Sequence, residues 1–342
     1  MTGRIDSDQT LRVSACLSLT GRFARFGAQA LKALQAWQSF DEKTELIIED
    51  DESSPQVVER VLPGLARRCD VLLGPYSTQL VRTASRIAAA ENVIMWNHGG
   101  SGDDIQASMP GHVISILTPT SRYSDPFVRH LKANYPPARL LVNSGKGAFG
   151  RQVADGAIRS AEQAKIDSLR ASKDKNVNWP PVSSSAWDLF TAGTFEDDVE
   201  LIRDIQRRPE KPRVVCAVAA GVREFVDEVE DAEGIYGVGQ WFPGINHPPE
   251  LGPNEADFLS AYSARFGSDP DYPAAQAAAG AVIAAHCVRQ AGSTAPDAVW
   301  RVAATLTTDT FFGAFKIDPS TGAQLGHRGA LVRWAAGTLS AV

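Results

Sequence analysis

Short apolar stretches alternate with amphipathic helical stretches through the first third of the chain, and this alternation restricts the fold more than any other feature. Leu11, Val13, Ala15, Leu17 and Leu19 alternate with Arg12, Ser14, Cys16 and Ser18, the period of two of a strand. From Gly27 the spacing turns helical, with Leu31, Leu34 and Trp37 on one face. Strands at Leu46-Ile47-Ile48, Val71-Leu72-Leu73 and Val93-Ile94-Met95-Trp96 then alternate with helices carrying Val57, Val58, Val61, Leu62 and Leu65, and Leu80, Val81, Ala84, Ile87 and Ala88. Strands joined by helices of about a dozen residues require right-handed crossovers and a parallel sheet.

The middle third repeats the pattern. Strands are expected at Val113–Leu117, Arg139–Asn143, Lys165–Leu169, Val214–Val218 and Ile235–Gln240, with helices near Ser124–Ala133, Arg151–Ala164, Phe195–Gln206 and Val222–Ala232. Lys173–Ser185 is polar and rich in Pro and Ser, the composition of a surface loop. After Gly244 the chain turns helical, with Phe258, Tyr262 and Phe266 four apart and an Ala-rich run over Tyr272–Ala291. Phe311–Ile317 and Ala330–Ala335, separated by the turn Asp318-Pro319-Ser320-Thr321-Gly322, read as a hairpin-like pair. With 342 residues, two α/β halves account for the whole length, because a single core stops growing near ~250–300 residues.

The balance of charge excludes several functions. The net charge is −6 with no Lys/Arg run, so the basic patch of a nucleic-acid binder is missing. No apolar run approaches the ~20 residues of a membrane span. Met1–Thr10 is polar and does not read as a secretory leader, so either a leader has been removed or Met1 is the native start of a cytoplasmic protein. Cys16, Cys69, Cys216 and Cys287 form no C-x-x-C pair and read as small hydrophobes within or at the start of strands and in a helix, a mild pointer to a reducing compartment. The six His residues have no ligand spacing, so no metal is expected.

One cofactor motif competes. Gly145-Lys146-Gly147-Ala148-Phe149-Gly150 is G-x-G-x-x-G between a strand and a helix, as in NAD(P)-binding enzymes, and Asp174 stands near the distance of the ribose-binding acid. It begins mid-chain, leaves the first βα units unexplained, and its acid falls in the polar loop. No G-x-S-x-G elbow is present, and Arg151 stands where a P-loop needs Lys. Asp103-Asp104 and Asp197-Asp198 read as acids at helix starts.

Ordered along the chain are motifs that resemble the type I periplasmic binding proteins, specifically the branched-chain amino acid (Leu/Ile/Val-type) receptors of ABC transporters. They are Leu17-Ser18-Leu19-Thr20-Gly21 with Phe26-Gly27, Asp50-Asp51 with Ser54-Pro55, and Leu72–Thr78. Asn92–Ser101, Phe149-Gly150, Phe258…Tyr262…Phe266-Gly267 with Pro270-Asp271-Tyr272, and Gly313–Gly322 follow. The resemblance implies two Rossmann-like lobes with parallel sheets and a ligand in the interlobe cleft. It also implies lobe one over 1–118 plus 247–310 and lobe two over 119–246 plus 311–342. No cofactor or chemistry is implied. The partners would be a small polar molecule and an ABC permease, in an extracytoplasmic compartment if a leader was removed. A cytoplasmic ligand sensor of the same fold is the alternative.

Within that frame the candidate ligand residues are Phe26, Tyr76, Ser77, Thr78, His98, Gly99, Ser101, Tyr123, Phe149, Gly221 and Trp241. Ser77 and Thr78 sit between a strand and a helix, where a hydroxyl caps the helix or meets an anion. Gly99 and Ser101 end the next strand, on the edge that faces ligands in open α/β sheets. His98 either meets a ligand or satisfies a neighbouring carbonyl. Each aromatic is a wall or a core residue. Near Gly221-Val222 and Gln240-Trp241 the amino-acid receptors place a Tyr and an acid for the α-amino group, and this chain has neither.

Overall fold

The computed structural model describes residues 9–171 and 186–342; the loop expected over Lys173–Ser185 and the acid Asp174 lie outside them. The chain begins β1 (Leu11–Leu17), α1 (Ala24–Trp37), β2 (Thr44–Asp50), α2 (Pro55–Ala66), β3 (Val71–Leu73), α3 (Thr78–Ala90), β4 (Met95–Asn97), α4 (Asp103–Gln106) and β5 (Val113–Ser115). It continues α5 (Asp125–Asn134), β6 (Arg139–Ser144), α6 (Ala148–Ala164), β7 (Ser168–Arg170), β8 (Trp187–Ala192), α7 (Phe195–Gln206), β9 (Val215–Ala217), α8 (Phe225–Glu228) and β10 (Tyr236–Gly239). It ends α9 (Glu255–Phe266), α10 (Tyr272–Ala291), α11 (Pro296–Thr305), β11 (Thr308–Thr310), β12 (Gly313–Phe315), β13 (Ala330–Ala335) and β14 (Thr338–Ala341).

Contacts divide the chain into a unit of residues 1–119 and 243–328 and a unit of 120–242 and 329–342. The first carries a five-stranded sheet in the order β2-β1-β3-β4-β5, parallel throughout. Helices cover both faces, so β1 is buried on both sides: Ser14 and Cys16 are as buried as Val13 and Ala15, where the alternation had implied one wet face. Cys16 shares a core with Val58 and Leu62 of α2, Leu72 of β3 and Leu80 of α3. The Ala-rich α10 is buried almost all round, which lets it lie close to α1 and β3.

The second unit holds a seven-stranded sheet, β14-β13-β10-β9-β8-β6-β7. Its β6 to β10 run parallel, but β13 and β14 are antiparallel additions at one edge, so this sheet is mixed. β8 was not expected from the sequence. It lies between β6 and β9 and is buried at every position.

The terminal segments depart from the expected hairpin. β12 pairs with β11, whereas β13 pairs with β10 and β14 in the other unit. Residues 311–328, expected in lobe two, stay with the first unit for a physical reason. Gln324 Nε2 donates to the Ile116 carbonyl (3.0 Å) and its backbone N–H to Gln106 Oε1 (3.1 Å). His327 Nδ1 lies 2.7 Å from Thr118 Oγ1. The expected helix over Val222–Ala232 shrinks to the single turn α8, and Cys69 precedes β3 without joining it. The cysteines are unbridged. Burial pushes the Cys69 and Cys287 thiols up to about 12, so both stay protonated near neutrality. Among the described residues no helix is long and apolar enough to cross a membrane.

Candidate functional site

The carboxyl ends of the first unit's strands are tied together by the side chains that the motifs supply. Asp50 Oδ1 accepts from the N–H groups of Leu19 (2.9 Å) and Glu52 (2.8 Å), and Oδ2 from the Thr20 hydroxyl (2.8 Å). Burial alone would raise the Asp50 pKa; these bonds outweigh it and hold it below its ordinary value. Asp51, fully buried, accepts from Ser18 Oγ at 2.6 Å. The Leu-Thr-Gly and Asp-Asp motifs are thus one joint between the loops after β1 and β2. Gly27 belongs to it: a Cβ there would lie 1.9 Å from the Ser18 carbonyl oxygen.

The loops after β3 and β4 are joined more tightly. Ser77 N–H donates to the Gly99 carbonyl (2.9 Å), and Gly102 N–H donates to Thr78 Oγ1 (3.2 Å). Ser77 takes φ 85° and caps α3, its Oγ accepting from Leu80 N–H (3.3 Å). Asn97, not singled out from sequence, organises the glycine loop. Its Nδ2 donates to the Gly100 carbonyl (2.7 Å) and to Ser115 Oγ (2.8 Å), and its Oδ1 accepts from Gly100 N–H (2.8 Å). An Asn two residues ahead of a Gly-Gly pair is an Asx-turn signal that the sequence carries. Phe26 stacks on Tyr76 with centroids 4.4 Å apart, and Tyr76 Oη lies 3.3 Å from Tyr272 Oη. Phe26, Tyr76, Ser77, Thr78, Gly99 and Ser101 therefore gather on one sheet edge.

His98 does not join them. Its ring is fully buried, its Cβ packs beside Gly280 of α10, and both ring nitrogens lack a well-formed hydrogen bond. Burial pulls its pKa down to about 4, against a weaker upward pull from the backbone of Gly74 and of His98 itself. This is a neutral interior imidazole, and the neighbouring carbonyl that the sequence offered it is not within good hydrogen-bond geometry of either nitrogen.

In the second unit Tyr123 meets Phe149 edge-on, with centroids 5.7 Å apart. Tyr123 is a core residue beside Phe127, Val153 and Phe190, and half-buried Phe149 packs on that core. Trp241 is 2 % exposed. Gly221 ends the 3₁₀ turn Val218–Gly221, where a Cβ would lie 2.5 Å from the Val238 carbonyl oxygen. The G-x-G-x-x-G stretch does lie between β6 and α6, yet its outer two glycines serve loop packing: a Cβ on Gly145 would lie 2.6 Å from Gly193 Cα, and one on Gly150 2.6 Å from the Ala192 carbonyl oxygen, while Gly147 takes φ 101° in open space. Asp197 stands at the helix start as expected, where it forms a capping box with Thr194. Asp198 is a first-turn acid of α7, as expected, and a buried one that accepts from Thr191 Oγ1 and Ala219 N–H.

Comparison with known proteins agrees with this geometry. The model of a family described as periplasmic binding protein matches residues 10–338. A leucine-binding protein from Thermotoga maritima superposes with a TM-score of 0.79 at 14% identity, covering 97% of each chain. The branched-chain amino acid transporter substrate-binding protein LivJ from Streptococcus pneumoniae, in complex with isoleucine, gives 0.78 at 14% identity, covering 98% of this chain and 99% of that one. A solute-binding protein of an ABC transporter from Rhodopseudomonas palustris, in complex with 3,4-dihydroxybenzoic acid, gives 0.78 at 15% identity, covering 97% and 95%.

Proposed function

Because the chain belongs to the periplasmic binding protein family, we propose that it is the extracytoplasmic receptor of an ABC importer, capturing one small carboxylate or amide without chemical change. The observation that carries this reading is the joined edge of β3 and β4. Ser77, Thr78, Asn97 and Gly99 fix a glycine-rich loop there, and the Phe26–Tyr76 stack stands on the same edge. Polar anchors beside an aromatic face suit a planar molecule with one anionic or amide end. The strand ends at Gly221-Val222 and Gln240-Trp241 offer no acid to a ligand ammonium. An aromatic carboxylate of the kind bound by the Rhodopseudomonas palustris protein therefore fits better than an α-amino acid of the kind bound by LivJ.

A thermal-shift series with benzoate, 3,4-dihydroxybenzoate, aliphatic amides and L-isoleucine tests this. A carboxylate or amide at ~100 times its Kd stabilises the native state by about 2.7 kcal/mol, a rise visible in the melting curve. In the Ser77→Ala/Thr78→Ala variant the response should need about tenfold more compound, for the loss of on the order of 1 kcal/mol. A flat response across the series, or an unchanged midpoint in the variant, contradicts the proposal.

A further inference from the structure

Asp198 lies in the first turn of α7 and is 1 % exposed. It closes a hydrogen-bond chain across the carboxyl ends of three strands. Asn143 Nδ2 of β6 donates to Thr191 Oγ1 of β8 (3.0 Å), and Thr191 Oγ1 donates to Asp198 Oδ1 (3.0 Å). Asp198 Oδ2 in turn accepts the N–H of Ala219 after β9 (3.1 Å). The next peptide of the same turn is held from β13, where the indole N–H of buried Trp334 donates to the Ala220 carbonyl at 3.0 Å. Two glycines press the turn onto β10: a Cβ on Gly237 would lie 2.3 Å from Ala220 C, and one on Gly221 2.5 Å from the Val238 carbonyl oxygen. The Val218–Gly221 turn is thus fixed by side chains that lie behind it.

A carboxylate is an unusual choice for such a support. Burial disfavours its charged form, and a neutral amide or hydroxyl would cost less. We propose that Asp198, with Trp334, is a positioning group that holds the Val218–Gly221 turn in its ligand-ready form, and that proton uptake by Asp198 releases the turn. The inference rests on the assignment of Gly221 to the ligand site. Burial moves the Asp198 pKa up to about 7, and the neighbouring charge of Asp197 adds to the rise, while the bonds from Ala219, Thr191 and the Gly193 backbone oppose it. The titratable groups facing it among the described residues are Asp197 on its own helix and Cys216 on β9, whose thiol is held protonated by burial and by the Asp198 charge. β8 faces it with Thr191, and the turn faces it with backbone. Cys216 therefore keeps its proton near neutral pH, and Asp198 is the group that burial brings into that range. Protonation turns the charge-assisted hydrogen bonds from Thr191 and Ala219 into neutral ones of roughly half the strength.

The sign separates this device from a purely structural role. A carboxyl whose native pKa lies above its unfolded value contributes stability that is full at low pH and is lost as pH rises through about 7. Global stability from Asp198 therefore rises on acidification, whereas order in the turn falls. Release takes away the Ala219 donor that favours the charged form while Asp198 stays dry against Thr191, so the released turn binds the proton more tightly. Amide exchange across Val218–Gly221, taken relative to intrinsic rates from pH 5.5 to 8.5, reads the second quantity. Protection at Ala219 should drop on the order of tenfold toward acid in the wild type. Asp198→Asn should show low, pH-independent protection, and Trp334→Phe lower protection with the same pH slope. Thr191→Val removes a donor that favours the charged form, so it should move the midpoint to higher pH; it also serves if Asp198→Asn does not fold. A flat wild-type profile, or an unmoved midpoint in Thr191→Val, overturns the inference whatever the protein binds. Calorimetry with benzoate, 3,4-dihydroxybenzoate and L-isoleucine at the same pH values forms the other arm. Binding of none of them refutes the receptor reading and leaves the turn device standing, and binding that weakens toward acid in the wild type but not in Asp198→Asn supports both.

Discussion

Gly99→Ala is expected to abolish the thermal response to every compound and to destabilise the fold by ~3 kcal/mol, the upper end of overpacking costs. The added methyl would lie 2.4 Å from the Pro75 carbonyl oxygen and 2.6 Å from Tyr76 Cα. Both contacts are backbone, so no side chain can swing away. The two loops must separate, which breaks the Ser77 N–H bond to the Gly99 carbonyl and shifts the Asn97 bonds to Gly100. Gly64→Ala, in the interior of α2 with nothing within 4 Å of its Cβ, serves as the control. It should stabilise the protein by roughly 0.5–1 kcal/mol through helix propensity. Urea denaturation of both variants checks the pair, and equal stabilities would show that the loop packing is not as described.

The second large effect is expected at Arg213. Its Nε and Nη2 donate to Asp188 Oδ1 (3.0 Å) and Oδ2 (2.6 Å), and its Nη1 donates to the Pro136 carbonyl (2.8 Å). Asp188 sits inside β8 at 2 % exposure, between β6 and β9. Removing the guanidinium leaves an uncompensated buried acid, a loss of about 3–5 kcal/mol. Arg213→Met should fall by that amount in urea denaturation. Asp188→Leu/Arg213→Met should recover most of it, because replacing both members of a buried pair by apolar groups is close to neutral. A single variant within ~1 kcal/mol of wild type would mean that solvent reaches Asp188 and screens it.

The same pair explains a limit of the sequence reading. Trp187–Ala192 carries an acid second and follows a Pro- and Ser-rich stretch, so its apolar residues do not announce a strand. The partner that makes Asp188 tolerable, Arg213, lies 25 residues on. The helix expected over Val222–Ala232 had apolar spacing in its favour. Asp227, Glu228, Glu230 and Asp231 would crowd its carboxyl end, where the helix dipole disfavours acids, and only Phe225–Glu228 is helical. The parallel strands and their helices were legible because burial on both sheet faces demands continuous apolar runs. The strand-end positions of Ser77, Thr78 and Gly99 followed from the same pattern, and that of Gly221 from the family resemblance alone. The roles of His98 and Tyr123 did not follow, because a residue type next to a loop does not say whether its side chain turns outward or into the core. Asp198 was read correctly as a first-turn acid of α7, but its burial was not legible, because first-turn acids are ordinarily solvated and only the fold shows that the Ala219 peptide has come to meet this one.

Small-angle X-ray scattering, titrated with whichever compound raises the melting temperature, tests the central claim most directly. A receptor that captures its solute by closure binds it better in the compact form, so the compound shifts the population that way. The radius of gyration should fall saturably over the concentrations that stabilise the protein, and the compound should be recovered unchanged. Saturable binding at a constant radius of gyration, with conversion of the compound to a product, would contradict the account and replace a receptor with an enzyme.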